Sequence, residues 1–148
     1  MNYELFMGEA LAEARLAIER GERPIAAVAV VNDAMVARAH DRVQETNDPT
    51  AHAVIVALRE AARKLGTAQL GEATFFATLE PCVMCVGALL ESDVEALVYA
   101  RPNEIDGACG SVVQIAQHAA LPRRMKVISG ILRGEAEELF APAAQTAR

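Results

Sequence analysis

Several features that mark broad classes of protein are missing from this sequence. It has no Trp, and only 4% of its 148 residues are aromatic, so its core must rest mainly on aliphatic side chains. No apolar stretch approaches the ~20 residues needed to span a membrane, since the longest, from Pro24 to Val31, has the length of a strand. Glu4 and Glu9 interrupt the N-terminal stretch, which lacks the pattern of a secretory signal. We therefore expect a cytoplasmic protein with no membrane partner.

A strong positive charge is also missing. The formal net charge is −6, and the most compact basic cluster comprises Arg123, Arg124 and Lys126. Proteins that bind nucleic acid over a wide surface usually carry a basic footprint, so the charge argues against a large RNA interface. The length is that of one domain, and we expect residues 1–148 to form it, with a frayed tail at 141–148.

Cysteine is scarce, and its three copies are an odd number that does not fit a disulfide framework. Cys82 and Cys85 form a Cys-x-x-Cys pair, which in a reducing cytosol indicates metal or redox chemistry. Cys109 has no cysteine neighbour at ligand spacing, and we expect it to act as a small buried hydrophobe.

Hydrophobic periodicity predicts a chain of helices and strands that alternate from residue 51 onward. Such alternation favours parallel strand pairing and an α/β sandwich. Thr50 is a plausible N-cap for the helix that follows it, and the polar segment 40–50 is predicted to be a loop. The predicted helices are 3–20, 51–65, 82–90, 112–118 and 131–140, and the predicted strands are 24–31, 35–39, 74–79, 96–100 and 126–129.

The residues that carry the clearest chemical signal are His52, Cys82 and Cys85. Each is expected at the start of a helix, where exposed N–H groups and the helix dipole favour thiolate over thiol. Two thiolates and one imidazole leave the fourth tetrahedral position of a zinc ion open for water, as in catalytic sites. A purely structural zinc site would need a fourth protein ligand, and the sequence offers no obvious one. We therefore predict one Zn²⁺ per chain.

Residues 47–53 (NDPTAHA) and 78–85 (TLEPCVMC) resemble the bacterial tRNA adenosine deaminases. The joint pattern matches the zinc deaminase signature His-x-Glu…Pro-Cys-x-x-Cys. Residues 107–111 and 130–132 resemble the C-terminal half of the same family, whereas guanine deaminases look less similar after residue 100. The resemblance implies a cytidine-deaminase-like, three-layer α/β/α sandwich with a five-stranded mixed sheet. It also implies deamination of the wobble adenosine of a tRNA anticodon to inosine, by a homodimer whose partner helps to form the site.

The sequence departs from the family pattern at Val54, where the resemblance implies a glutamate two residues after the ligand histidine. In the family mechanism zinc activates a water, and the glutamate moves a proton from that water to the base and to the departing ammonia. Valine cannot carry a proton, and general acid–base catalysis contributes roughly 10²–10⁴-fold to the rate. We therefore expect catalysis by this chain to be impaired.

A second departure lies at Asp41, where the family has an asparagine that reaches the substrate base. An ionised Asp only accepts hydrogen bonds, whereas Asn also donates them. The resemblance further implies that Ala53 offers a backbone group to the base and that the backbone around Glu80 lines the pocket. The side chains of Asp41 and Glu80 are equally consistent with solvated surface charges.

Three interpretations of these departures stay open. In the first, Val54 inactivates an otherwise ordinary tRNA adenosine deaminase. In the second, the protein is a catalytically silent zinc-binding protein that binds RNA or a partner subunit; the non-catalytic subunit of the eukaryotic tRNA adenosine deaminase also has valine here. In the third, Asp41 has taken over proton transfer for another substrate, such as a free guanine-type base. A dimer with a merely structural zinc is the non-enzymatic alternative.

Overall fold

The computed structural model describes residues 1–143 of the chain. The order of helices and strands in this part matches most of the elements that periodicity predicts. The predicted bounds lie within three residues of the observed ones, and the strands predicted at 74–79 and 126–129 agree at both ends. The elements are α1 (Tyr3–Glu19), β1 (Ala26–Val31), β2 (Ala34–His40), α2 (Val43–Thr46), α3 (Ala53–Leu65), β3 (Thr74–Leu79), α4 (Val83–Glu91), β4 (Ala96–Arg101), β5 (Lys126–Ser129) and α5 (Arg133–Ala143).

The strands form one five-stranded sheet in the order β2-β1-β3-β4-β5. β1 pairs antiparallel with both β2 and β3, whereas β3, β4 and β5 run parallel, so the sheet is mixed. The hairpin between β1 and β2 turns at Asn32 and Asp33, whose φ angles of 51° and 58° are those of a tight two-residue turn. The parallel half is the one in which helices and strands were predicted to alternate; α4 joins β3 to β4, whereas an irregular segment joins β4 to β5.

Helices cover both faces of the sheet, which gives the predicted three layers. Alternate residues of a strand point to opposite faces, so in β1 Ala27 and Ala29 pack on one side while Val28 and Val30 pack on the other. The first side is covered by α3 and α4, and the second by α1 and α5. Within residues 1–143, no helix combines the length and apolar character required to cross a bilayer.

The predicted helix at 112–118 is wrong. This segment is irregular, because its backbone N–H groups bond to carbonyls about five to seven residues back in place of the helical i→i−4 partners. The N–H groups of Val112 and Val113 donate to the Gly107 carbonyl, and that of Ile115 donates to the Ala108 carbonyl. In the predicted tail, residues 141–143 belong to α5, and residues 144–148 lie outside the described part of the chain.

One edge of the sheet gathers the chain segments that build the candidate site. β2 and β3 run in the same direction, since both are antiparallel to β1, so the ends of β2 and β3 meet at this edge. Asp41 follows β2 and Glu80 follows β3, while Arg23 lies shortly before β1 begins at the same edge. The first turns of α3 and α4 close the arrangement.

Candidate metal centre

His52 stands at the N-cap of α3, with extended backbone angles (φ −68°, ψ 152°). The expectation that Thr50 caps this helix is wrong, because the Thr50 hydroxyl donates to Asp48 Oδ1 at 2.7 Å. The helix start is instead supported from a distance, since the Ala53 N–H donates to Asp41 Oδ1 at 3.0 Å. The His52 side chain makes no capping hydrogen bond to α3, and it points toward the start of α4.

The two sulfurs lie on the first turn of α4. Cys82 is the N-cap residue of this helix, and Cys85 is buried one turn later. Pro81 precedes the helix, where a residue without an N–H leaves no donor unsatisfied. Cys82 also forms an isolated β-bridge with Gly107, which ties the start of α4 to the loop after β4.

The structure brings the three predicted metal ligands together. His52 Nδ1 lies 3.6 Å from the Sγ atoms of both Cys82 and Cys85, and all three ligand atoms lie within 4.8 Å of one another. A tetrahedral zinc ion with Zn–S of about 2.3 Å and Zn–N of about 2.05 Å separates N from S by about 3.6 Å. Donor types and spacing therefore both fit zinc. Within residues 1–143 this is the sole cluster of three or more such side chains.

The three groups perturb one another strongly. The hydrogen bond with the Cys85 thiol, and then the one with His52, lower the pKa of Cys82 to about 4. The bond with Cys82 and burial raise the pKa of Cys85. The bond with Cys82 also raises the pKa of His52. The site thus holds one thiolate already, whereas Cys85 must release its proton to the solvent when a metal ion binds.

A pocket opens beside the triad, and Ala53 and Val54 form part of its wall. Val54 is only 3% exposed and belongs to the apolar core, so an aliphatic side chain is well accommodated there. Arg23, Asn103 and Asp106 also line the pocket. These three carry no local sequence signal, because they lie in loops and approach the triad only through the tertiary fold.

Asp41 does not line this pocket, although it lies just behind it. Its interpretation as a solvated loop residue is wrong, since it is 1% exposed. Arg23 donates to Oδ2 through Nε at 3.0 Å and approaches it through Nη2 at 2.9 Å, while Oδ1 accepts the Ala53 N–H. Burial raises the pKa of Asp41, and Arg23 opposes that effect. Both carboxylate oxygens and the Ala53 N–H therefore already have hydrogen-bond partners within the protein.

Glu80 is the other acidic residue that the sequence left undecided, and its interpretation as a surface charge is also wrong. It is fully buried, although it lines the pocket. Its carboxylate accepts the backbone N–H groups of Asn103, Cys109 and Ser111 and the Ser111 hydroxyl. Four donors to one carboxylate offset the cost of burying it. Glu80 therefore shapes the loop that faces the zinc ligands.

Cys109 lies on this loop, away from the triad. It is partly buried and packs against the apolar core, as expected of a small hydrophobe. Burial, together with the charge of Glu80, raises the pKa of this thiol to about 12. The Cys109 side chain is therefore neutral at physiological pH.

Comparison with known proteins agrees with this geometry. Residues 1–101 match the cytidine and deoxycytidylate deaminase zinc-binding region. A tRNA-specific adenosine deaminase of Bacillus subtilis is 40% identical over 132 residues, which cover 89% of this chain and 82% of that protein.

Two solved structures extend the comparison to the fold. One, from studies of A-to-I editing by tRNA:A34 deaminases, has a TM-score of 0.87 at 39% identity and covers 90% of this chain and 97% of its own. The other, a guanine deaminase from Nitrosomonas europaea, has a TM-score of 0.80 at 31% identity and covers 94% of this chain and 82% of its own. This chain is thus a zinc-binding domain of the cytidine and deoxycytidylate deaminase family and belongs, within it, with the tRNA-specific adenosine deaminases.

Proposed function

We propose that this protein is a zinc-dependent hydrolytic deaminase of the tRNA wobble adenosine-to-inosine type whose catalysis is impaired by Val54. The observation that carries the proposal is the metal triad beside a pocket with an aliphatic side chain at position 54. The relatives named above as tRNA adenosine deaminases supply the substrate class.

His52, Cys82 and Cys85 would hold the zinc ion, which supplies the Lewis acidity that activates water when it is bound. The remaining walls of the pocket orient a base and exclude bulk water. Val54 can help with exclusion and orientation, but it can neither accept nor donate a proton. Loss of a general acid–base group costs roughly 10²–10⁴ in rate, or about 3–5 kcal/mol of barrier.

The substitution Val54→Glu tests this proposal. A carboxyl group in this buried position has a pKa raised by desolvation, which suits a group that both takes and gives a proton near neutral pH. We expect roughly a 100-fold or larger gain in inosine formation and ammonia release on an adenosine-containing anticodon stem-loop. Val56→Glu is the matched control, because Val56 lies on the same helix but lines a different cleft. No gain from Val54→Glu would contradict the proposal.

Two other functions have a specific observation in their favour. A guanine-type free-base deaminase agrees with the structural similarity to the guanine deaminase of Nitrosomonas europaea. It requires measurable wild-type turnover on a free base, and proton transfer by Asp41 would require that Asp41→Asn abolish it. A silent zinc-binding protein agrees with Val54, and requires stoichiometric zinc and ligand binding without turnover by the wild type.

We also propose that the protein acts as a homodimer. Apolar side chains lie exposed around the Cys82–Gly107 bridge, where a second chain would cover them and help to close the pocket. Sedimentation equilibrium of the wild type should give twice the chain mass, and Ile105→Asp should shift the protein toward the monomer. Leu5→Asp, at an exposed position of α1, is the control. These exposed side chains are Val83 (51%), Met84 (36%), Ile105 (64%), Val112 (50%) and Val113 (41%).

A further inference from the structure

Arg23 is the one cation on the wall of the zinc pocket among the described residues that line it, apart from the imidazole of His52. Its side chain is 32% exposed, whereas that of its partner Asp41 is 1% exposed. Asp41 in turn accepts the N–H of Ala53, the residue that follows His52. The guanidinium is therefore fixed relative to the metal site through a single buried carboxylate.

The contacts of Arg23 leave donors free. A guanidinium has five N–H donors in a rigid planar fork. Arg23 uses Nε and Nη2 toward Asp41 Oδ2, and within residues 1–143 Nη1 has no hydrogen-bond partner. A pocket residue that offers donors and no acceptor favours a ligand that presents acceptors.

The charges around the pocket narrow the class of ligand. Asp41 neutralises much of the Arg23 charge, and the carboxylate of Asp106 adds negative charge on the same pocket wall. A phosphate or carboxylate would meet this repulsion, whereas a neutral carbonyl oxygen would not. The site thus suits a ligand with an uncharged hydrogen-bond acceptor, such as a carbonyl oxygen, to which Arg23 can donate.

We propose that Arg23 is a specificity-determining residue that makes this pocket prefer a 6-oxopurine to adenine. A 6-oxopurine presents two adjacent acceptors, O6 and N7, to which an arginine fork binds well. Adenine presents a 6-amino donor at the same edge, so the donors of Arg23 would face another donor. The inference concerns the same pocket as the proposed function, and it makes the deaminated base the tighter ligand.

Binding of two nucleosides tests the preference without reference to turnover. Inosine and adenosine are titrated separately into the zinc-loaded full chain by calorimetry. We expect inosine to bind at least about tenfold more tightly, within the range of discrimination of one bidentate arginine contact. Equal or tighter binding of adenosine overturns the proposal, and so does the absence of measurable binding by both nucleosides.

The residue assignment is tested by variants that keep the fold. Removing Arg23 alone would leave a buried carboxylate unpaired, so the main variant is the double substitution R23Q/D41N. The asparagine side chain that D41N introduces can still accept the Ala53 N–H through its oxygen. R101Q is the matched control, because Arg101 is 29% exposed and donates to Glu137 at 3.0 Å, outside the pocket. Zinc content and circular dichroism establish that each variant is folded.

We expect R23Q/D41N to bring the two affinities within about twofold of each other, while R101Q keeps the wild-type ratio. If R23Q/D41N keeps the wild-type preference for inosine, a group other than Arg23 discriminates between the two bases, and the proposal is overturned. Failure here and failure of the proposed function are distinguishable. Val54→Glu reports inosine formation on an RNA stem-loop, whereas these variants report the ratio of two binding constants.

Discussion

The two walls of the pocket are built in different ways. The metal wall, formed by His52, Cys82 and Cys85, uses the N-terminal turns of two helices and carries a complete set of zinc ligands. The rest of the lining, which we call the arginine wall, carries Arg23, held by Asp41, and the apolar Val54. Under the proposed function, zinc binding and proton transfer are separable properties of this site. Zinc binding needs three atoms at fixed spacing, whereas proton transfer would depend on the side chain at position 54.

The largest expected effect comes from breaking the metal wall. His52→Ala removes one of the three ligands, and we expect zinc affinity to fall by about a thousandfold, or roughly 4 kcal/mol, as one share of the usual binding free energy. Competition with a zinc chelator measures the loss. His118→Ala removes an exposed histidine far along the chain and should leave zinc affinity unchanged. Unchanged affinity in His52→Ala would remove the basis for the metal centre.

The second largest effect is expected at the ion pair of the arginine wall. Arg23→Leu leaves Asp41 buried without its partner, and we expect the free energy of unfolding to fall by about 3 kcal/mol. Adding Asp41→Asn should recover most of that loss, because the buried charge is gone while the bond to Ala53 is kept. Urea unfolding of the two single variants and the double variant measures the coupling. Additive losses would contradict the interpretation of the pair.

A smaller effect on stability is expected at Gly107, in the loop whose backbone donates to Glu80. A Cβ at Gly107 would lie 2.5 Å from the Asn103 carbonyl oxygen and 2.6 Å from Glu80 Cδ. Gly107→Ala should therefore cost about 2 kcal/mol of stability by overpacking. The same substitution at Gly87, in α4 with nothing within 4 Å of its Cβ position, should stabilise by about 0.5–1 kcal/mol. Thermal unfolding compares them, and equal effects would contradict this account.

The smallest expected effect is the change of zinc affinity with pH. The raised pKa of Cys85 keeps its thiol protonated at neutral pH without metal, so zinc binding must release that proton. Zinc affinity should therefore fall about tenfold, or about 1.4 kcal/mol, for each unit by which the pH is lowered. The raised pKa of His52 makes the fall steeper toward acid pH. Calorimetry in two buffers of different ionisation enthalpy measures the number of protons released on zinc binding. Binding without proton release would contradict this prediction.

Prediction from the sequence succeeded where the signal is local. Apolar spacing located α1, α3 and α4, and the alternation of helices and strands after residue 51 predicted the parallel half of the sheet. It failed for the segment 112–118, where apolar residues suggested a helix. There the backbone N–H groups bond to the Gly107 and Ala108 carbonyls, and the preceding residues Cys109 and Ser111 donate to the buried Glu80. Hydrophobic periodicity does not report such contacts.

The sequence alone was enough to predict the ligand set, because His52 and the Cys82–Cys85 pair are chemically distinctive and occur at the starts of predictable helices. It also determined that position 54 lacks a proton-transfer group. The roles of Asp41 and Glu80 emerge from the folded structure, because both looked like possible surface charges and both are buried. These roles depend on contacts between residues that are far apart in the sequence. Arg23 and Asp41 are 18 residues apart and Glu80 and Ser111 are 31 apart, so the donors that make a buried carboxylate tolerable become visible only when the strands have brought their ends together.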